Sequence, residues 1–168
     1  MRNNDPSILP EPGQPFKIRH SLSEKEGIKL ADALLENTSV TYLELRTEKY
    51  TKNSAEAMAK YVRTSKHLQR IHWEGARSPL FRQREEIFCC FLHAFQESTS
   101  LKILNIDFPA IGGPSNLALE TMLRHTQCLR SLRLFWPFGS PGNKIVAAAA
   151  SALKTTATLR SPPVILPL

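Results

Sequence analysis

The side chains that could do chemistry in this 168-residue chain are few, and their spacing is informative mainly for what it excludes. The five histidines, His20, His67, His72, His93 and His125, form neither an HxxxH nor an HExxH pattern. A helix face bearing paired imidazoles for zinc is therefore not expected. His72 and Glu74 are two residues apart in a stretch that reads as a strand, which puts both side chains on one face. Such a pair can exchange a proton, but a lone His–Glu neighbour is ordinarily a surface hydrogen bond. No GxSxG motif or spaced Cys–His pair supplies a nucleophile beside it.

Cys89, Cys90 and Cys128 lack metal spacing, and their odd number does not suggest a disulfide framework. Adjacent residues on a helix point about 100° apart, so Cys89 and Cys90 cannot both face one core. Reduced, partly buried thiols are expected. Ile111-Gly-Gly-Pro-Ser115 and Gly139-Ser-Pro-Gly-Asn-Lys144 superficially look like phosphate loops, yet neither contains GxxxxGK[ST]. Both read as turns leading from a strand into a helix. The expectation is a protein that is not an enzyme, with no catalytic residues, no metal and no cofactor.

The elements that must carry these side chains form a repeat. A short apolar pattern, L-x-x-L-x-L, begins at Val40, Leu68, Leu101 and Leu129, with anchors 28, 33 and 28 residues apart. A fifth anchor, Leu159, follows. Six residues before each anchor stands an apolar residue: Leu34, Val62, Phe95, Leu123 and Leu153. Ten before stands another: Leu30, Met58, Phe91, Leu119 and Ala149. These two columns are one helical turn apart and mark one face of a helix. Polar turns separate helix from strand at Asn37-Thr-Ser, Ser65-Lys-His, Ser98-Thr-Ser, Thr126-Gln-Cys and Thr156-Ala-Thr. Each unit is thus a strand, a loop and a returning helix. It cannot bury its own apolar face and must stack on copies of itself.

This pattern resembles the leucine-rich repeat, and a period near 28 with a full helix resembles the ribonuclease-inhibitor-like class. The resemblance covers roughly residues 26 to 160. It implies an α/β solenoid of about four to five repeats, with short parallel strands on a concave face and helices on the convex one. The family's Asn or Cys just past the strand is missing: Glu48, Ala76, Pro109 and Pro137 stand there instead. The second unit is longer, and an extended loop is expected over Gly75 to Glu86.

Residues two, four and six past each anchor alternate away from the core. They are Tyr42, Glu44 and Arg46; Arg70, His72 and Glu74; Ile103, Asn105 and Asp107; and Ser131, Arg133 and Phe135. Aromatics, arginines and carboxylates together have the composition of a protein-binding surface. All but Ser131 are expected to contact an unidentified protein partner, although an inner sheet face must in any case be polar. Trp136 lies beside this set and either adds to it or packs a loop over the core.

The formal charge of +7 permits acidic partners but selects none, and no run of five basic residues appears, which argues against nucleic acid. Two other functions are open. A GTPase-activating regulator has a similar repeat array, although that family carries an acidic C-terminal segment and this C-terminus is apolar. A basic nucleic-acid-binding protein would show steep salt dependence. No apolar run reaches the roughly 18 residues of a membrane helix, and no signal-peptide pattern opens the chain, so a cytoplasmic or nuclear location is expected.

The ends differ from the middle. Residues 1–16, with Pro6, Pro10, Pro12 and Pro15, read as a flexible tail. Phe16 to Ile18 reads as a degenerate first strand, followed by a helix over about Glu24 to Leu35 with a Ser23–Glu26 capping box. The repeat domain spans 17–160. The apolar tail, 161–168, either folds over the last helix or continues a longer array.

Overall fold

The computed structural model describes residues 14–18, 22–46, 49–74, 81–107, 113–136 and 164–167. Strands and helices alternate along the chain. The elements are β1 (Phe16–Lys17), α1 (Glu24–Leu35), β2 (Tyr42–Arg46), α2 (Lys52–Thr64) and β3 (Arg70–Glu74), then α3 (Phe81–Glu97), β4 (Ile103–Asp107), α4 (Gly113–His125), β5 (Ser131–Trp136) and β6 (Val164–Pro167). The strands form one sheet in the order β1-β2-β3-β4-β5-β6, and every neighbouring pair is parallel. Each unit's helix lies beside the next, α1 on α2, α2 on α3 and α3 on α4.

The apolar columns of the sequence become layers of the core. Leu43, Ile71, Leu104 and Leu132 are in register across β2 to β5, as are Leu45, Trp73, Ile106 and Leu134. All eight are at most 1% exposed. The helical columns meet them: Met58, Phe91 and Leu119 are fully buried, and Leu34, Val62, Phe95 and Leu123 nearly so. Leu30 is partly buried against the same core.

The helix-to-strand turns are built alike. Asn37 Oδ1 accepts from the amides of Ser39 (2.8 Å) and Val40 (2.9 Å), and Ser65 Oγ accepts from those of His67 and Leu68. Ser98 Oγ accepts from the Leu101 amide. Short polar side chains thus hold the backbone amides that lead into each strand. The Ser100 hydroxyl reaches the carbonyls of Ser65 (2.7 Å) and Leu68 (2.8 Å), tying one repeat to the preceding one. The expected positions of the family's asparagine ladder (Glu48, Ala76, Pro109 and Pro137) lie outside the described residues.

The Ser23–Glu26 capping box is present, and Thr51 with Ser54 forms a second one at the start of α2. A carboxylate near the start of one helix also binds the start of the next. Glu24 accepts from Thr51 Oγ1 and Asn53 Nδ2, and Glu85 accepts from the amide and hydroxyl of Ser115. Carboxylates at helix N-termini are favoured by the exposed amides there. Helices α1 and α2 approach so closely that a β-carbon on Gly27 would lie 2.6 Å from Cβ of Ser54.

Two sequence expectations are corrected. The extra residues of the second unit do not form a loop running to Glu86, because α3 already begins at Phe81 and is 17 residues long. The insertion lengthens the helix, since Phe81 to Glu86 contains neither glycine nor proline. The last strand is also out of phase with the anchor read at Leu159, which itself lies outside the described residues. That anchor would set Pro163 opposite Arg133, whereas Val164 pairs with Arg133 and Ile165 with Leu134. A shift of one residue exchanges the two faces of a strand. The described pairing of β6 runs from Val164 to Pro167, opposite Arg133 to Trp136.

Candidate functional site

The helices cover one face of the sheet, and alternation along the strands turns the intervening residues to the other. Register sorts these into three rows. The first holds Tyr42, Arg70, Ile103 and Ser131. The second runs from Lys17 through Glu44, His72, Asn105 and Arg133. The third holds Arg46, Glu74, Asp107 and Phe135. The structure therefore assembles all eleven sequence-selected residues on one face of the sheet.

Much of this face is already paired with itself. Glu44 bonds Lys17 Nζ at 2.7 Å and lies 3.5 Å from Arg46, and the Arg46 guanidinium reaches Glu74 at 3.0 Å. The Arg70 guanidinium lies 4.5 Å from the centre of the Tyr42 ring, a cation–π contact. Glu44 and Asn105 are buried, at 8% and 7% exposure, so the middle row is shielded by its neighbours. Tyr42, Arg46, Arg70, His72, Glu74, Ile103, Asp107 and Phe135 are half-buried, and Arg133 is exposed. Lys17 was not selected from the sequence, because a two-residue strand has no legible periodicity.

The His72–Glu74 pair read from the sequence is replaced by another. His72 Nε2 lies 3.3 Å from Asp107 Oδ1 on the next strand, a long and poorly aligned contact. The facing Asp107 carboxylate holds the imidazole above its ordinary value against partial burial. The charges of Asp107, Glu44 and Glu74 act in the same direction, while Arg46 pairs with the two glutamates. A pKa raised by folding contributes stability that is complete below the unfolded value of 6.5 and is lost as pH rises through the folded value. The thermal midpoint of the native chain should therefore fall relative to that of His72→Gln as pH rises through neutrality. Parallel midpoint-versus-pH curves for the two proteins in differential scanning fluorimetry would refute the coupling.

Elsewhere the chemistry is inert. Cys89, Cys90 and Cys128 are free and half-buried. Burial pushes the Cys89 and Cys90 thiols up, which keeps them protonated and weakly nucleophilic. His125 Nδ1 contacts the carbonyl of Thr121 in its own helix, and His67 and His93 are exposed. Among the described residues no group of three His, Cys, Asp or Glu side chains is placed to hold a metal ion, and no helix is long and apolar enough to cross a membrane. Trp136 ends β5, and the two glycine-containing turns lie largely outside the described residues.

No family model matches the sequence, and no curated protein matches it. Among solved structures, the chain is similar to one titled Leiomodin-1 Actin-Binding Site 2. The TM-score is 0.54, with 16% identity over 86% of this chain and 82% of that one. At this identity the likeness concerns the fold. With the parallel ladder and the alternating helices, it shows that this chain has an α/β fold of the leucine-rich-repeat type.

Proposed function

We propose that this chain is a non-catalytic protein-interaction module of the ribonuclease-inhibitor-like class, and that it binds its partner through the open, concave face of the sheet. The observation that carries this reading is the composition of that face. Tyr42, Ile103 and Phe135 are half-buried there among arginines and carboxylates. Interfaces use such aromatic and arginine anchors within a polar rim. The similar leiomodin structure is titled as a binding site for actin, so the same architecture serves a protein partner there. For this chain the partner is likewise a protein, recognised by residues of the three rows.

A photo-crosslinking amino acid placed at position 133 or 135 of the full chain tests this. In extract from cells that express the protein, these positions should capture a protein, and exposed position 60 on helix α2 should not. Arg70→Ala should keep the native circular dichroism spectrum while reducing capture from position 135. Capture confined to position 60 would place the interface on the helices and overturn the reading.

A further inference from the structure

We infer that the segment docking on the open face is an acidic peptide with an apolar residue among its carboxylates. The inference rests on the reading of that face as the docking surface. On it, both glutamates are already answered, Glu44 by Lys17 and Arg46 and Glu74 by Arg46, and Asp107 faces His72 at 3.3 Å. Arg70 and Arg133 are left over, with no carboxylate partner among the described residues. Arg70 is held in place by the Tyr42 ring, which leaves its charge unneutralised, and Arg133 projects into solvent.

Register sets the distance between these two arginines. Arg70 pairs with Ile103, and Arg133 pairs with Asn105 on the other side of the same strand. Two strand spacings and two residues of rise separate their backbones by about 12 Å. In an extended peptide, carboxylates four residues apart lie on one face and span roughly 13 Å, with the residue midway between them on the same face. Each can then meet one guanidinium in the bidentate geometry that arginine favours. Ile103 lies between the two arginines, where an apolar side chain of the peptide would rest, and Phe135 lies two residues beyond Arg133. A nucleic acid fits less well. Its continuous phosphates would meet Glu44, Glu74 and Asp107, and Arg70 and Arg133 form no basic track.

The test uses the full chain and a fluorescein-labelled peptide of sequence Glu-Ala-Leu-Ala-Glu, whose glutamates and leucine share one face when extended, read by fluorescence polarisation at low and moderate salt. Its Gln-Ala-Leu-Ala-Gln counterpart is the neutral control. The acidic peptide should bind more tightly and lose affinity with salt. Arg133→Glu and Arg70→Glu should each weaken it roughly tenfold, as expected for reversal of a contacting charge. Lys66→Glu makes the same change in net charge at the helix-to-strand turn and should leave binding within about twofold. Thermal midpoints confirm that the variants fold.

Equal binding of the two peptides would overturn the inference, as would equal effects of Lys66→Glu and Arg133→Glu. So would tighter binding of a thymidine oligonucleotide that displaces the peptide. If positions 133 and 135 still crosslink to a protein when the acidic peptide fails, the acidic segment is wrong and the docking face stands. If neither result is obtained, both readings fall.

Discussion

Leu104→Asp is expected to leave this chain without a cooperative unfolding transition. Leu104 is fully buried in β4, in register with Ile71 on one side and Leu132 on the other, and its whole layer is apolar. Removing the leucine forfeits about 1.5–3 kcal/mol of burial. An aspartate there must either stay charged without a partner or take up a proton and bury an unsatisfied carboxyl, which costs several kcal/mol more. The sum approaches the 5–15 kcal/mol that holds an ordinary domain together. The position aggravates the loss, because each repeat is stabilised by its neighbours and β4 joins β3 to β5. Ile103→Asp is the matched control: the preceding residue of the same strand, half-buried on the open face. It should melt cooperatively within a few degrees of the native chain. A cooperative melt for Leu104→Asp, followed by circular dichroism, would contradict the burial and register assigned to β4.

Trp73→Ala should cost about 3–5 kcal/mol, the usual range for deleting a buried aromatic. Trp73 is fully buried in β3, and its ring is stacked 4.3 Å from that of Phe88. Phe91 lies 5.5 Å away, and Phe95 meets it edge-on at 5.4 Å. All three phenylalanines belong to α3, so one side chain of the sheet seats the longest helix. Truncation empties the centre of that cluster, and three rings on one rigid helix cannot all move in to fill it. The thermal midpoint should fall by roughly 6–20 °C for a chain of this size. Trp73→Phe should recover part of the loss, because it keeps a ring against Phe88. A drop below about 3 °C for the alanine variant would mean that α3 is seated by other contacts.

The helix and strand faces were legible because they depend on periodicity alone. An apolar residue every second position in a strand, or every third and fourth in a helix, has only one place to go once units stack. The start of α1 was legible for a similar reason: Ser23 and Glu26 satisfy backbone amides within four residues of chain. Both signals are local, and sequence order suffices to express them. The helical start of α3 at Phe81 was obscured because the repeat period counts residues between anchors without saying whether an insertion coils or extends. The phase of β6 was missed because the leucine at 159 fits the repeat spacing, and spacing alone does not fix the register of the strand that follows it.

The candidate surface divides along the same line. Its membership followed from alternation, and the structure puts all eleven residues on one face. Their pairing did not follow. The sequence places His72 beside Glu74, yet the imidazole turns to Asp107, 35 residues away and on the adjacent strand. Glu44 and Asn105 looked open and are buried, and Lys17 arrives from a strand of two residues. Parallel register sets cross-strand neighbours about 5 Å apart, and a long charged side chain chooses among several of them by distance and field. By itself, then, the sequence determined the repeat, its core columns and the face left uncovered. Only the tertiary structure decided which charges on that face neutralise one another and that Arg70 and Arg133 have no carboxylate partner among the described residues, because electrostatic pairing depends on distances across strands that sequence separation does not encode.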